Sequence, residues 1–182
     1  MEHTEYKNRI ITTKELVILA FLGAILLVSQ IALAPLPNIE IISLLIYIYT
    51  QIYGKKVFLP IYTFAFLEGC VYGFGAWWFG YLYVWSILAI IVLLFKDETL
   101  KESLPFSCVI LGAYGLSYGF LFAIPYFIVL GTKSGMAYWV SGIPFDLVHA
   151  AGNVAVTLIL YKPLRHLIEK LNRSICNYSA MR

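Results

Sequence analysis

SGIPFDLVHAAGNVAVTLILYKPL, residues 141–164, decides what kind of chain this is. Its second half is apolar enough to enter a bilayer, while its first half carries Asp146, His149 and Asn153. Over so short a window a buried soluble helix and a membrane span read alike, so composition has to separate them. Of the 182 residues, 61% are hydrophobic and 13% charged, where a soluble domain carries roughly 25% charge. The apolar residues also come in long runs. This combination marks an integral membrane protein. It predicts an all-α fold, because lipid cannot satisfy free backbone groups and the runs have helical length.

The runs predict a six-transmembrane-helix bundle with spans at about 14–34, 39–53, 57–75, 79–95, 104–130 and 137–162. The second is short for a roughly 30 Å hydrocarbon core, and the fifth is long enough to tilt or break at Pro125. Breakers fall between the spans: APLPN at 34–38, YGKK at 53–56, KDETLKES at 96–103 and GTKSG at 131–135. The whole chain, 1–182, reads as a single transmembrane domain with no room for a soluble catalytic or ATP-binding domain. An A-x-A at 32–34 resembles a signal-peptidase site, but the run from Leu16 to Ala34 exceeds the usual signal core and Pro35 would follow the cut. It is read as a mature span.

Charge placement sets the expected orientation. Of the 13 Lys and Arg residues, only Lys133 falls outside when the N-terminus is placed inside. The inner set is Lys7, Arg9, Lys14, Lys55, Lys56, Lys96, Lys101, Lys162, Arg165, Lys170, Arg173 and Arg182, so both termini are expected in the cytoplasm. Glu2, Glu5, Glu15, Asp97, Glu98, Glu102 and Glu169 share that side. The other three acids, Glu40, Glu68 and Asp146, map to the outer half of the bundle. No charged low-complexity tail suggests nucleic acid. The cysteines Cys70, Cys108 and Cys176 lie far apart without C-x-x-C spacing, two as small fillers within spans and one on the cytoplasmic tail.

Asp146, His149, Ala150 and Asn153 follow i, i+3, i+4, i+7 spacing and share one helix face. Ser141 and Pro144 are helix-start residues, so Asp146 falls near a first turn, where it also fits as a plain cap favoured by the helix dipole. The stripe as a whole points to a cavity or a partner, because polar groups inside a membrane are expensive. Glu68 lies about two turns below the outer end of the third span. An ionised carboxylate there costs about 2.5–3.5 kcal/mol, so it should face the bundle interior, either towards a ligand or paired with His149. Glu40 begins the second span, with Asn38 as a candidate cap.

Aromatic residues crowd the same side: Trp77, Trp78, Tyr81, Tyr83, Trp85, Tyr138 and Trp139. Interface belts account for some of these. Together with the carboxylates, Trp77, Trp78, Tyr83, Trp85 and Trp139 suit a flat heteroaromatic ligand with N–H donors, or a cation. Ala20 and Ala24 form A-x-x-x-A on the first span beside Gly23, spacing that lets another helix approach. Gly112, Gly115, Gly119 and Ala123 suggest internal packing. No G-x-x-x-x-G-K-[ST] and no H-E-x-x-H occurs. Asp146 and His149 offer two metal ligands, with Glu68 as a third from another helix, which leaves a membrane-embedded metal-dependent enzyme as an alternative.

At this point the chain resembles the membrane-embedded substrate-binding (S) component of an energy-coupling factor (ECF) transporter. The resemblance rests on the compact six-span pattern with both termini inside and on AFLGA at 20–24. It implies that Ala20 and Ala24 dock onto a transmembrane coupling protein bearing two cytoplasmic ATPases. It further implies that ATP is hydrolysed by those partners, with no enzyme activity and no cofactor in this chain, which would reside in a prokaryotic plasma membrane. LPNIEIISLLI, EGCVYGFGAWW, YLYVW and YWVSGIPFDLVHAAGN resemble a branch associated with salvage of queuine or queuosine, a 7-deazaguanine. On that resemblance an acid among Glu40, Glu68 and Asp146 grips the guanine-like edge, a Trp covers the ring, and Asn153 completes the contacts. A vitamin such as thiamin is the alternative cargo. Nickel or cobalt fits less well, because metal-specific members carry His directly after the initiator Met, and here Glu2 precedes His3.

Overall fold

The computed structural model describes residues 11–180, with side chains described through residue 173. Glu2, His3, Glu5, Lys7, Arg9 and Arg182, and the side chain of Cys176, lie outside that range. The described chain is helical, with no strand among the described residues. Three stretches, Thr13–Leu33, Ala76–Leu94 and Leu104–Arg173, are long and apolar enough to cross a membrane. Val17, Phe21, Val28, Ile128, Val129 and Ile159 stand exposed on the outside, apolar surface that suits lipid rather than water.

Helix α1 (Thr13–Leu33) starts in a capping box. Thr12 Oγ1 accepts from Glu15 N, and the Glu15 carboxylate accepts from Thr12 N, which settles two donors that a helix start leaves free. Helix α2 (Ile42–Tyr53) is buried along its entire length. At about 18 Å it is shorter than the hydrocarbon core, so it sits as the central post of the bundle. Its polar members are answered internally: Thr50 Oγ1 donates to Ile46 O, and Tyr47 OH and Gln51 Nε2 both donate to Lys101 O, at 2.8 and 2.6 Å. A 3-10 turn, Gly54–Val57, leads into α3 (Phe58–Tyr72). There Lys56 Nζ meets Glu15 at 2.8 Å in a buried pair that ties α1 to the turn.

Helix α3 packs along α1 at Gly23, where an added Cβ would fall 2.7–2.8 Å from Thr63 and the Pro60 carbonyl. The chain then turns at Gly73 (φ 86°) into α4 (Ala76–Tyr81), α5 (Val84–Leu94) and the short α6 (Glu98–Lys101). Asp97 caps α6 by accepting from Leu100 N.

Helix α7 (Leu104–Ala180) breaks at Gly131 (φ 82°, ψ 173°). Its arms, 104–130 and 132–180, run antiparallel, shown by the contacts of Tyr126 with Tyr138, Gly119 with Asp146, Gly115 with Ala150 and Asn153 with Leu111. The break therefore comes at Gly131 and not at Pro125. Glycine tolerates the positive φ that reverses the chain, while Pro125 stays inside the helix with only a local hydrogen bond missing. The second arm also starts immediately after Gly131 and runs on to Ala180, well past 162. Ser141 and Pro144 are interior residues, not helix starts, and Asp146 lies about four turns beyond the break. The plain-cap reading of Asp146 is thereby overturned.

These contacts give the bundle two distinct ends. One gathers the loop 34–41, α4 and the facing parts of the two α7 arms. The other gathers Glu15, Lys56, Lys101, Glu102, Tyr161 and Arg165. Arg165 binds Glu102 at 2.6 Å and Glu169 at 2.8 Å, and donates to Tyr161 OH. Burial pulls its pKa down, but the two carboxylates outweigh that and hold it above the ordinary arginine value.

Candidate functional site

The hairpin of α7 is closed by glycine. A Cβ at Gly115 would sit 2.8 Å from the Ala150 backbone, and one at Gly119 would collide with the Asp146 carboxylate. Lacking side chains there, the first arm lets Asp146, His149, Ala150 and Asn153 press against it, and all four are buried. Asn153 Nδ2 donates to Leu111 O at 3.1 Å, and Thr157 Oγ1 donates to Asn153 O. Asn153 thus pins the two arms together and lines none of the cavities described below.

Towards the loop end, the packing opens into a cavity of about 560 Å³ lined by Asn38, Trp77, Tyr81, Tyr118, Phe122 and Asp146, among others. A smaller lobe of about 260 Å³ shares Asn38, Tyr81 and Tyr118 with it and adds Gln30, Glu40, Trp85 and His149. An apolar lobe of about 270 Å³ shares Trp77, Phe122 and Tyr138 and runs towards Pro125, Val129 and Leu130. The walls are aromatic. Trp77 meets Tyr81 edge-on at 5.1 Å, Trp85 lies 5.6 Å from Tyr118, and Tyr118 meets the His149 ring at 4.7 Å. Volumes of this size and apolar walls with a few polar groups are those of a small-molecule site.

The polar groups on these walls differ in how far they are satisfied. Glu40 Oε2 accepts from Ser43 N at 2.8 Å, capping α2 itself, and Oε1 lies 3.2 Å from His149 Nε2. Asn38 is instead held in a left-handed conformation (φ 59°) on the cavity rim. His149 therefore pairs with Glu40 and not with Glu68. Asp146 Oδ1 accepts from Gly119 N at 2.9 Å, but its buried Oδ2 has no hydrogen-bond partner. The buried indole N–H of Trp85 has none either. Native proteins rarely leave such groups unmatched.

Glu68 is buried in α3, with Oε1 unpartnered, and lines none of the three lobes. Among the described residues no three His, Cys, Asp or Glu side chains are placed to hold a metal ion. Three of the expected aromatics also stand away from the lobes. Trp78 Nε1 donates to Ala65 O at 2.7 Å, Tyr83 OH donates to Leu121 O at 2.7 Å, and Trp139 packs edge-on against Phe120.

Tyr81, Tyr118, Phe122 and Asn38 are wall residues that sequence reasoning did not select as ligand contacts. A signal existed for two of them: Tyr114, Tyr118 and Phe122 recur every four residues beside Gly115 and Gly119. The same stretch, GLSYG at 115–119, matches the G-x-S-x-G of a serine nucleophile elbow, which sequence reasoning also missed. That motif requires a strand-to-helix turn. Ser117 lies in mid-helix and its Oγ donates to Tyr114 O at 2.8 Å. No protein family, no curated protein and no solved structure matches the chain.

Proposed function

We propose that this chain is a membrane-embedded, small-molecule-binding transport subunit of the ECF S-component type. It crosses the bilayer six times, with both termini in the cytoplasm and the cavity open to the outside of a prokaryotic plasma membrane. The observation that carries the reading is Asp146: a carboxylate 6% exposed, on the lining of an aromatic-walled cavity. An acidic group among aromatic walls is what a small-molecule site of this class needs to orient its ligand. The placement of Lys55, Lys56, Lys96, Lys101, Lys162 and Arg165 near the opposite end supports the orientation.

In this reading the chain captures its cargo without chemistry of its own. A transmembrane coupling protein docks on α1, and two cytoplasmic ATPases supply the energy. Ala20 and Ala24 are half-buried and flank the exposed Val17, Phe21 and Val28, a low apolar stripe that another helix can meet closely. The first candidate cargo is a 7-deazaguanine such as queuine or queuosine. Thiamin is the competing cargo, since a cationic ring also suits a carboxylate among aromatic faces.

The test is a thermal-shift and native mass spectrometry screen of the purified chain with queuine, 7-deazaguanine and thiamin, followed by uptake assays. Binding by the chain alone, with uptake only when the coupling protein and ATPases are co-expressed, is the expected result. ATP-independent uptake by the chain alone would instead make it a self-standing carrier.

A further inference from the structure

Helix α7 holds three prolines in its interior, Pro125, Pro144 and Pro163. Proline has no backbone N–H, so each frees the carbonyl four residues earlier: Leu121 O, Val140 O and Ile159 O. Inside a bilayer such a carbonyl is answered by a local tightening of its own helix or by a donor from a neighbour. Tyr83 OH donates to Leu121 O at 2.7 Å, from 38 residues away. Among the described residues no side chain donates to Val140 O or Ile159 O, and both of those residues stand exposed.

Both sides of the Tyr83 bond belong to the frame of the cavity. Tyr83 forms the corner between α4 and α5, where its N–H donates to Gly80 O and its carbonyl accepts from Ile87 N. Phe122 follows Leu121 directly and lines the large and the apolar lobe. A Cβ at Gly80 would fall 2.6 Å from the Phe122 ring, so α4 rests on that wall residue. The neighbouring ties run elsewhere. Trp78 Nε1 binds α4 to Ala65 O of α3, and Tyr114 OH binds α5 to the first arm of α7 through Val84 O.

We propose that Tyr83 stands in for the N–H that Pro125 lacks, and that this bond seats α4, with Trp77 and Tyr81, against the first arm of α7 where the lobes join. Tyr83 is thereby a positioning residue: it lines none of the three lobes and acts through Leu121 and Phe122. Its part in binding rests on the small-molecule reading above; the bond itself does not. One hydroxyl then has two tasks that can be separated. A backbone N–H at position 125 can take over the Leu121 carbonyl, but a bond within α7 cannot hold α4.

The test is a double-mutant cycle of Y83F and P125A on the purified full chain in one detergent. With proline present, Y83F leaves Leu121 O without its donor and should lower the melting temperature by about 3 °C or more. In the P125A background the restored N–H answers Leu121 O, and Y83F should cost clearly less. Two further readouts follow the seat of α4. In protein labelled with 5-fluorotryptophan, the Trp77 fluorine resonance, identified by its absence in W77F, should shift or broaden on Y83F in both backgrounds. Titration with 7-deazaguanine and with thiamin should show that whichever probe binds wild type loses about tenfold in affinity on Y83F, again in both backgrounds. Equal melting losses in the two backgrounds, or none in either, would overturn the stand-in role. A Trp77 resonance and an affinity that Y83F no longer alters once P125A is present would overturn the positioning role. Should Y83F alone fail to fold, P125A against Y83F/P125A still gives the Trp77 and binding comparison. Binding of neither probe by the wild-type chain would sink the small-molecule reading, and the melting and fluorine results would still decide the bond.

Discussion

His149 Nε2 lies 3.2 Å from Glu40 Oε1, a contact that joins the loop 34–41 to the α7 arm that carries Asp146, beside the packing of Asn38 and Ile39 near Gly152. Glu40 adds a second anchor by capping α2 at Ser43 N. The loop is thus held at both ends of a single side chain, directly over the small lobe. Replacing Glu40 with Ala removes both anchors. We expect faster amide hydrogen exchange across 34–41 and ligand affinity lower by about tenfold to a hundredfold, roughly the 1.5–3 kcal/mol of a charge-assisted hydrogen bond. Exchange mass spectrometry and titration measure the two effects, and unchanged exchange in the loop would remove the anchoring role.

At the other end, Glu15 and Lys56 form a buried pair with both side chains under a tenth exposed. Breaking a buried pair from one side is costly because the remaining charge stays buried with its close partner gone. K56M alone should destabilise the solubilised protein by about 3–5 kcal/mol. The double variant K56M/E15Q should recover most of that, since the neutral amide oxygen introduced by E15Q can still accept in the capping box. Thermal unfolding of wild type and the two variants in one detergent measures the difference, and equal losses in the single and double variants would contradict the pairing argument.

The glycines of the α7 hairpin separate packing from binding. A Cβ at Gly115 meets rigid backbone at Ala150, so G115A should cost about 1–3 kcal/mol of stability through overpacking. A Cβ at Gly119 meets the Asp146 carboxylate, a side chain that can swing away. G119A should leave the melting temperature closer to wild type and lower ligand affinity more than G115A does. The reverse ranking in paired melting and binding measurements would detach Asp146 from the site.

On α1, neighbouring small residues should behave oppositely. Gly23 faces Thr63 and Pro60 within the bundle, whereas Ala20 and Ala24 border the exposed apolar face. G23A should lower stability with or without partners. A20W/A24W should abolish partner-dependent uptake while leaving ligand titration of the purified chain unchanged. Loss of binding in A20W/A24W would return the alanines to internal packing.

Arg165 offers a pH test at the same end of the bundle as Lys56. Its pKa is raised, so its ion-pair contribution is complete below the unfolded arginine value and is lost only as pH rises through the folded one. The stability difference between wild type and R165M should therefore stay flat from about pH 7 to pH 10, well below the range in which an arginine of the unfolded chain gives up its proton. Melting curves across that range check it, and a slope would mean that some other group titrates in the network.

Local sequence carried much of this protein's character. Composition alone marks it as membrane-like, because charge is so scarce and apolar runs so long. The capping box at Thr12 and Glu15 and the i, i+3, i+4, i+7 stripe of Asp146, His149, Ala150 and Asn153 are patterns within a few turns of one helix. Each depends only on helical geometry, and the structure buries the whole stripe on one face.

What a face meets is a different matter, and only the tertiary structure decided it. Asp146 and Asn153 look alike in sequence, yet one lines the cavity and the other is spent on Leu111 O, 42 residues away. His149 found Glu40 across 109 residues, and Trp78 and Tyr83 gave their donors to distant backbone carbonyls. Main-chain acceptors are the same at every position, so no residue pattern announces which one a side chain will reach. The reversal after the fifth span was legible, since the breaker GTKSG at 131–135 marks it and the break falls at Gly131. What the sequence did not show is that this reversal brings Gly119 to Asp146.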